Sequence, residues 1–155
     1  MEFSSQLKEF IKKELVRYEV KRSAIIPCLF AVQKEQGWVS PEAITVLSKE
    51  MELPETWITE VTSFYTMFNR KPVGKYHVQV CCNISCSMAG GRELAAHLEK
   101  NLSAKAGEVS PDGRYTVSRV ECLGACGTAP MMQVNDEYYE NLTLESAEKL
   151  LREME

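Results

Sequence analysis

The residues of this chain whose types and spacing could do chemistry are cysteines in two short stretches, Cys81-Cys82-Asn83-Ile84-Ser85-Cys86 and Cys122-Leu123-Gly124-Ala125-Cys126. Neither stretch supplies a full set of sulfur ligands from one pair. Together Cys81, Cys86, Cys122 and Cys126 provide the four thiolates that an iron-sulfur cluster or a structural zinc requires. A 2Fe-2S centre needs two thiolates per iron, so two pairs on two loops match its stoichiometry, one loop for each iron. Four cysteines on two short loops also suit a tetrahedral structural zinc, the competing reading to the favoured iron-sulfur one. A thiol-disulfide enzyme fits less well, because it would use C-x-x-C and the gaps here are longer.

The compartment bears on this choice. No stretch approaches the run of about 20 apolar residues that spans a bilayer, and the start Met1-Glu2-Phe3 does not read as a secretory signal, so a cytoplasmic protein with no direct membrane insertion is expected. In a reducing compartment, clustered cysteines point to metal ligation rather than to disulfides. Residues 1–72 carry 10 Lys+Arg against 10 Asp+Glu, and residues 73–155 carry 8 against 12, so the excess acid lies in the cysteine half. That balance argues against a nucleic-acid partner, which wants a basic face.

The elements that must position the cysteines begin with a helical region. Phe3, Leu7, Phe10, Ile11, Leu15 and Tyr18 fall at helical spacing behind Ser4-Ser5. Ser23 reads as the cap of a second helix that buries Ile25, Ile26, Leu29 and Phe30, with Cys28 as a small hydrophobe, and that stops at Gly37. Ser40-Pro41-Glu42 opens a third helix, with Ile44, Val46, Leu47 and Met51 apolar, and Leu53-Pro54-Glu55 reads as the same device opening a fourth. The fourth carries Trp57, Ile58, Val61, Phe64, Tyr65 and Phe68, a stripe expected to pack in the core. Four short helices suggest a small bundle over residues 1–72.

From Asn69 to Gly74 the pattern changes from helical to alternating, which sets the boundary of a second domain, residues 73–155. Lys75 to Cys81 reads as a strand, Leu94 to Leu102 as a helix, and Tyr115 to Val120 as a second strand. Met131 to Val134 and Glu137 to Tyr139 form a hairpin around Asn135-Asp136, and Leu144 to Leu151 a closing helix. Both cysteine loops follow strands. Parallel neighbouring strands joined by the helical crossover would bring the loops together at their C-terminal ends. The expected fold class is α+β: a small helical bundle, then a β-α-β-β-β-α unit resembling a thioredoxin-like sheet with one helix missing.

Strand alternation separates the two adjacent thiols. Cys82 shares parity with the apolar Val78 and Val80, whereas Cys81 follows His77 and Gln79, so Cys81 is the expected ligand. Ile84, Met88, Leu123, Ala125, Met131 and Met132 are expected to form an apolar pocket that limits water at the sulfurs. Gly124 and Gly127 would let backbone N–H groups approach sulfur. His77 and His97 lie outside both loops and are read as ordinary histidines.

Cys81 and Cys86 with a four-residue gap, followed by Cys122-Leu123-Gly124-Ala125-Cys126 running into Ala129-Pro130, resemble the signature of the thioredoxin-like 2Fe-2S subunit of NADH:quinone oxidoreductase, respiratory complex I. Gly37-Trp38-Val39-Ser40-Pro41-Glu42-Ala43-Ile44 and Val61-Thr62-Ser63-Phe64-Tyr65-Thr66-Met67-Phe68 resemble the helical segment of the same family, so the likeness covers nearly the whole chain. It implies one 2Fe-2S cluster on Cys81, Cys86, Cys122 and Cys126, and no catalytic residue. It also implies a flavin- and NADH-binding partner subunit carrying the FMN, docked in the cytoplasmic peripheral arm of a membrane-associated complex. The cluster would exchange electrons with that flavin from a place off the main path to quinone. The departures from the family pattern are Cys28 and Cys82. The equivalent subunit of an NAD-linked hydrogenase or formate dehydrogenase uses the same design, and a zinc-stabilised interaction module is the non-redox alternative. Because no strand here is followed by G-x-G-x-x-G, the chain alone is not expected to oxidise NADH. The aromatic fourth helix, Tyr138 and Tyr139 are the expected partner contacts.

Overall fold

The computed structural model describes residues 2–154, and the chain divides into two compact units, Met1–Pro72 and Val73–Glu155. In the first, α1 (Ser5–Arg17) begins where the Ser4 hydroxyl accepts the Leu7 N–H at 3.1 Å, satisfying one of the donors that a helix start leaves open. α2 spans Ile25–Gln36 and ends at Gly37 with φ 81°, the left-handed conformation that a glycine adopts without strain. α3 (Pro41–Met51) starts at the expected Ser40 cap, whose hydroxyl accepts the Ala43 N–H at 3.0 Å. α4 covers Glu55–Phe64. Leu7, Ile11, Leu29, Leu47, Met51 and Ile58 meet in the core of this unit, with Cys28 fully buried among them. Burial and the nearby Glu14 charge push the Cys28 thiol up to about 12, so it stays protonated and packs as an apolar group.

Four local expectations give way here, in whole or in part. Ser23 caps nothing, because a short 3-10 turn, Lys21–Ala24, feeds directly into α2. Pro54 occupies the cap position of α4 itself, where it has no side-chain acceptor, so the Ser40-Pro41 device is not repeated. The aromatic stripe is core only in part: Ile58 and Phe68 are buried and Val61 packs against the same cluster. α4 turns Ile58 and Thr62 inward, four residues apart, which leaves Trp57 and Phe64 on the outside, and Phe64 is 78% exposed. Thr62 can be buried because its hydroxyl donates to the Ile58 carbonyl at 2.7 Å. Phe30 is also partly exposed, with its ring against Phe68.

The second unit is built on a four-stranded sheet in the order β2-β1-β3-β4. β1 (Tyr76–Cys81) and β2 (Tyr115–Val120) run parallel, with Val78 opposite Val117 and Cys81 opposite Val120. β3 (Met132–Val134) pairs antiparallel with β1 on its other side and with β4 (Glu137–Tyr139) through the Asn135-Asp136 turn. One element was not expected: the first cysteine loop contains a short helix, α5 (Ile84–Met88), capped by Asn83. Val78, Val80, Val117, Met132 and Val134 project to one face of the sheet. There they pack with Leu94 and Leu98 of α6 (Gly91–Asn101) and with Ala147 and Leu151 of α7 (Leu144–Glu153). The opposite face presents polar side chains, including His77, whose Nε2 lies 2.9 Å from Ser118 Oγ.

Candidate metal centre

Strand order dictates where the cysteines go. Because β1 lies between β2 and β3, the chain leaving β2 must cross the C-terminal end of β1 before it can enter β3. That crossing segment contains Cys122 and Cys126, and the end it crosses carries Cys81. The crossing is pinned at both sides of β1: the Cys82 N–H donates to the Val120 carbonyl at 2.8 Å and the Cys81 N–H to the Met131 carbonyl at 3.2 Å. Further along, the Asn141 N–H donates to the Thr128 carbonyl at 2.8 Å and the Leu142 N–H to the Pro130 carbonyl at 3.0 Å, so the β4–α7 connection straps the same loop.

The first loop is held from beneath. α5 ends at Met88 and α6 begins at Gly91, where a Cβ would stand 2.5 Å from the Cys81 carbonyl oxygen and 2.8 Å from that of Cys86. Only a glycine lets the helix start this close to both. Asn83 accepts the Ile84 N–H at 2.6 Å and reaches Glu121 at 3.4 Å, joining the two loops directly.

Within this frame Cys81 and Cys86 are buried together with Met131, and Leu123, Ala125 and Ala129 pack against them. The Cys81 thiol donates to the Glu121 carbonyl at 3.4 Å. Cys86 is pushed up to about 11, first by burial, then by its hydrogen bond with the Cys81 thiol and the negative charge available on Cys81 and Cys126, against the Met131 N–H, which acts the other way. A Cys86 thiol whose ionised form is disfavoured in this way sits where a positive centre would offset the cost. Cys122 and Cys126 are exposed, and the Gly124 N–H donates to Cys122 Sγ at 3.4 Å. Among the described residues, no group of three or more His, Cys, Asp or Glu side chains is drawn together tightly enough to hold a metal ion. One buried and one exposed pair thus share an end of the sheet without closing into a single-ion cage.

Cys82 lies elsewhere: it packs against the second unit's main core, with its sulfur 3.5 Å from the Val80 carbonyl. His77 bonds Ser118, and His97 pairs with Glu148 of α7 at 2.6 Å. The expected apolar pocket is corrected. Met131 contributes to it, but Met132 faces the helix-covered core, and Ile84 and Met88 are 75% and 86% exposed because they lie on the outer side of α5. Gly91 was missed by the sequence reading, which gives Tyr138 only as a partner contact. Tyr138 donates its hydroxyl to the Leu123 carbonyl at 2.8 Å, and no spacing rule reports such a bond.

Residues 11–155 match the thioredoxin-like [2Fe-2S] ferredoxin family. An NADH-quinone oxidoreductase subunit of Rhizobium meliloti (strain 1021) is 41% identical over 94% of this chain and 86% of its own length. NADH-quinone oxidoreductase subunit 2 of Thermus thermophilus is 43% identical over 97% and 85%, and a subunit of the same oxidoreductase from Rickettsia felis 46% over 86% and 80%. In fold, the chain resembles part of an NAD+-reducing [NiFe]-hydrogenase in the H2-reduced state, with a TM-score of 0.69 and 24% identity over 80% of this chain and 21% of that one. The chain therefore belongs to the thioredoxin-like [2Fe-2S] ferredoxin family, among the NADH-quinone oxidoreductase subunits, as an electron-transfer subunit of an oxidoreductase complex whose cofactor is a 2Fe-2S cluster.

Proposed function

We propose that Cys81 and Cys86 hold one iron of the cluster and Cys122 and Cys126 the other, and that the chain exchanges electrons with the FMN of an NADH-binding partner subunit of NADH:quinone oxidoreductase. The observation that carries this reading is the crossing of β1 by the β2–β3 connection, which brings a buried cysteine pair and an exposed one to a single end of the sheet. When bound, the cluster supplies a centre that takes up and releases one electron at thiolate-held iron.

The residues around it have separable tasks. Cys81 and Cys86, with Met131 behind them, keep water from one side and leave the sulfurs little room to move. Cys122 and Cys126 form the exposed side, which gives a redox partner short access to the metal edge. The Gly124 N–H at Cys122 supports the more negative, reduced state. The partner, not this chain, binds NADH and FMN, which accords with the lack of a G-x-G-x-x-G turn. Residues 1–72 and 73–155 act in this reading as a helical domain and a ferredoxin domain. No helix among the described residues is long and apolar enough to cross a membrane, which suits a place in the cytoplasmic peripheral arm of the complex.

The test is co-expression with the flavin subunit followed by anaerobic purification. The expected product is a stable complex with FMN and a 2Fe-2S cluster that NADH reduces, while the chain alone gives no NADH oxidation with an artificial acceptor. Stoichiometric zinc without acid-labile sulfide, or NADH turnover by the isolated chain, would refute the proposal. The equivalent module of an NAD-linked hydrogenase or formate dehydrogenase would have the same cluster and differ in the subunits that co-purify.

A further inference from the structure

The peptide unit between Leu123 and Gly124 is held at both of its polar ends. Its N–H donates to Cys122 Sγ at 3.4 Å, and its carbonyl accepts the Tyr138 hydroxyl at 2.8 Å. Tyr138 lies in β4, at the opposite edge of the sheet from β2, the strand that leads into this loop. The space beside the Gly124 Cα is open. Gly124 has φ 80°, and a Cβ built there would meet nothing within 4 Å. Turns with glycine at such a position can reverse their central peptide, because the glycine tolerates either sign of φ. Reversal here would turn the N–H away from the sulfur and bring the Leu123 carbonyl towards it.

We propose that Tyr138 is a positioning residue for the cluster: by bonding the Leu123 carbonyl, it selects the peptide orientation that points the Gly124 N–H at the Cys122 sulfur, and so raises the reduction potential. This rests on the reading of Cys122 as a ligand. Reduction adds negative charge to the iron and its sulfurs, and an N–H···S bond strengthens as that charge grows, so the bond favours the reduced state. The O–H···O=C bond also polarises the same peptide and makes its N–H a better donor. Reversal, in contrast, would set a carbonyl dipole against the thiolate and favour the oxidised state. Tyr138 is 49% exposed, so water competes for the Leu123 carbonyl and the net effect is modest.

The test compares the full-length, cluster-loaded chain with Tyr138→Phe, which removes only the hydroxyl. In an EPR-monitored redox titration, the reduction equilibrium of the variant should fall by roughly threefold to tenfold, about 30 to 60 mV for one electron, with altered EPR g-values. Tyr139→Phe should move neither. A Tyr138→Phe midpoint and spectrum equal to wild type would overturn the proposal. Should that variant load poorly, hydrogen exchange at the Gly124 amide in the metal-free chain decides: faster exchange than wild type supports it, and unchanged exchange overturns it. Cys122→Ser separates the two levels of inference. A wild-type spectrum in Cys122→Ser removes the ligand reading itself, whereas a lost or shifted spectrum there beside a silent Tyr138→Phe removes only the role of Tyr138.

Discussion

Replacing Gly91 by alanine tests the way the first cysteine loop is held. The added methyl would sit 2.5 Å from the Cys81 carbonyl oxygen, against about 3.4 Å for the near limit of ordinary contact, a shortfall of 3.4 − 2.5 = 0.9 Å, and 2.8 Å from the Cys86 carbonyl oxygen. Both obstacles are backbone, so neither can rotate aside as a side chain would. Overpacking of this kind costs about 1 to 3 kcal/mol, and contact with two backbone oxygens argues for the upper part of that range. Alanine's better helix propensity offsets about 1 kcal/mol at most, leaving a net loss of roughly 2 kcal/mol. Strain can be relieved only by separating the start of α6 from the loop, which moves Cys81 relative to Cys86. Gly90→Ala is the matched control, since Gly90 has φ 96° and open space around it. Its cost, on the order of 1 kcal/mol, is backbone strain without pressure on either cysteine. Urea unfolding and anaerobic cluster reconstitution, read by visible absorption, should show both variants destabilised and only Gly91→Ala impaired in cluster retention. Equal reconstitution of the two, or wild-type stability in Gly91→Ala, would refute the reasoning.

Other outcomes follow from the same geometry. Cys81→Ser should lose or strongly perturb the cluster, whereas Cys82→Ser should keep its absorption and EPR spectra and cost about 1 kcal/mol of packing; the reverse pattern would show that the ligand is misassigned. A residual altered cluster in Cys81→Ser would vanish in the double variant if Cys82 had taken its place. Anaerobically purified chain should contain two irons and two labile sulfides, with a midpoint near the roughly −400 mV of plant-type centres, and a large positive potential would contradict an all-thiolate ligand set. Burial holds the His77 imidazole below its usual 6.5, so the unfolded chain binds more protons at this site than the folded one. Its contribution is complete above the unfolded value and is lost as pH falls from about 6.5 through the lower folded value. Comparing urea midpoints with His77→Gln at pH 7.5 and pH 5 should show a smaller acid-side loss in the variant, and identical slopes would exclude the effect.

Legibility in the sequence followed the kind of physics each feature depends on. The parallel pairing of β1 with β2 could be read because two strands each ran into a cysteine loop and a helical crossover lay between them. Ser40-Pro41 was readable because capping is local, while the Ser23 cap failed because a 3-10 turn satisfies the same backbone without it. The aromatic stripe of α4 held only in part, for a different reason. Hydrophobicity alone does not say which of two faces is inward, and Thr62 was passed over although its hydroxyl finds a partner inside its own helix. Gly91 and Tyr138 depend on through-space distances to backbone carbonyls that no helical or strand spacing relates to them, and composition carries no trace of those.

The different burial of the two cysteine pairs follows from topology. The first pair sits where an interior strand ends and a helix begins, so its surroundings are the sheet end, Met131 and the start of α6. The second pair rides on the crossing loop, which must pass outside β1 and therefore faces outward. An electron carrier needs both properties at once: ligands that move little on reduction, and an edge that a partner can approach. A loop exposed on one side has few packing contacts to keep it still, and hydrogen bonds must supply the restraint. Asn141, Leu142 and Tyr138 all bond carbonyls of this one loop, from the hairpin strand and the connection that follow it in the chain. The β3–β4 hairpin, which carries none of the four cysteines, therefore belongs to the architecture of the site: it gives the exposed cysteine pair a rigid backing without covering it.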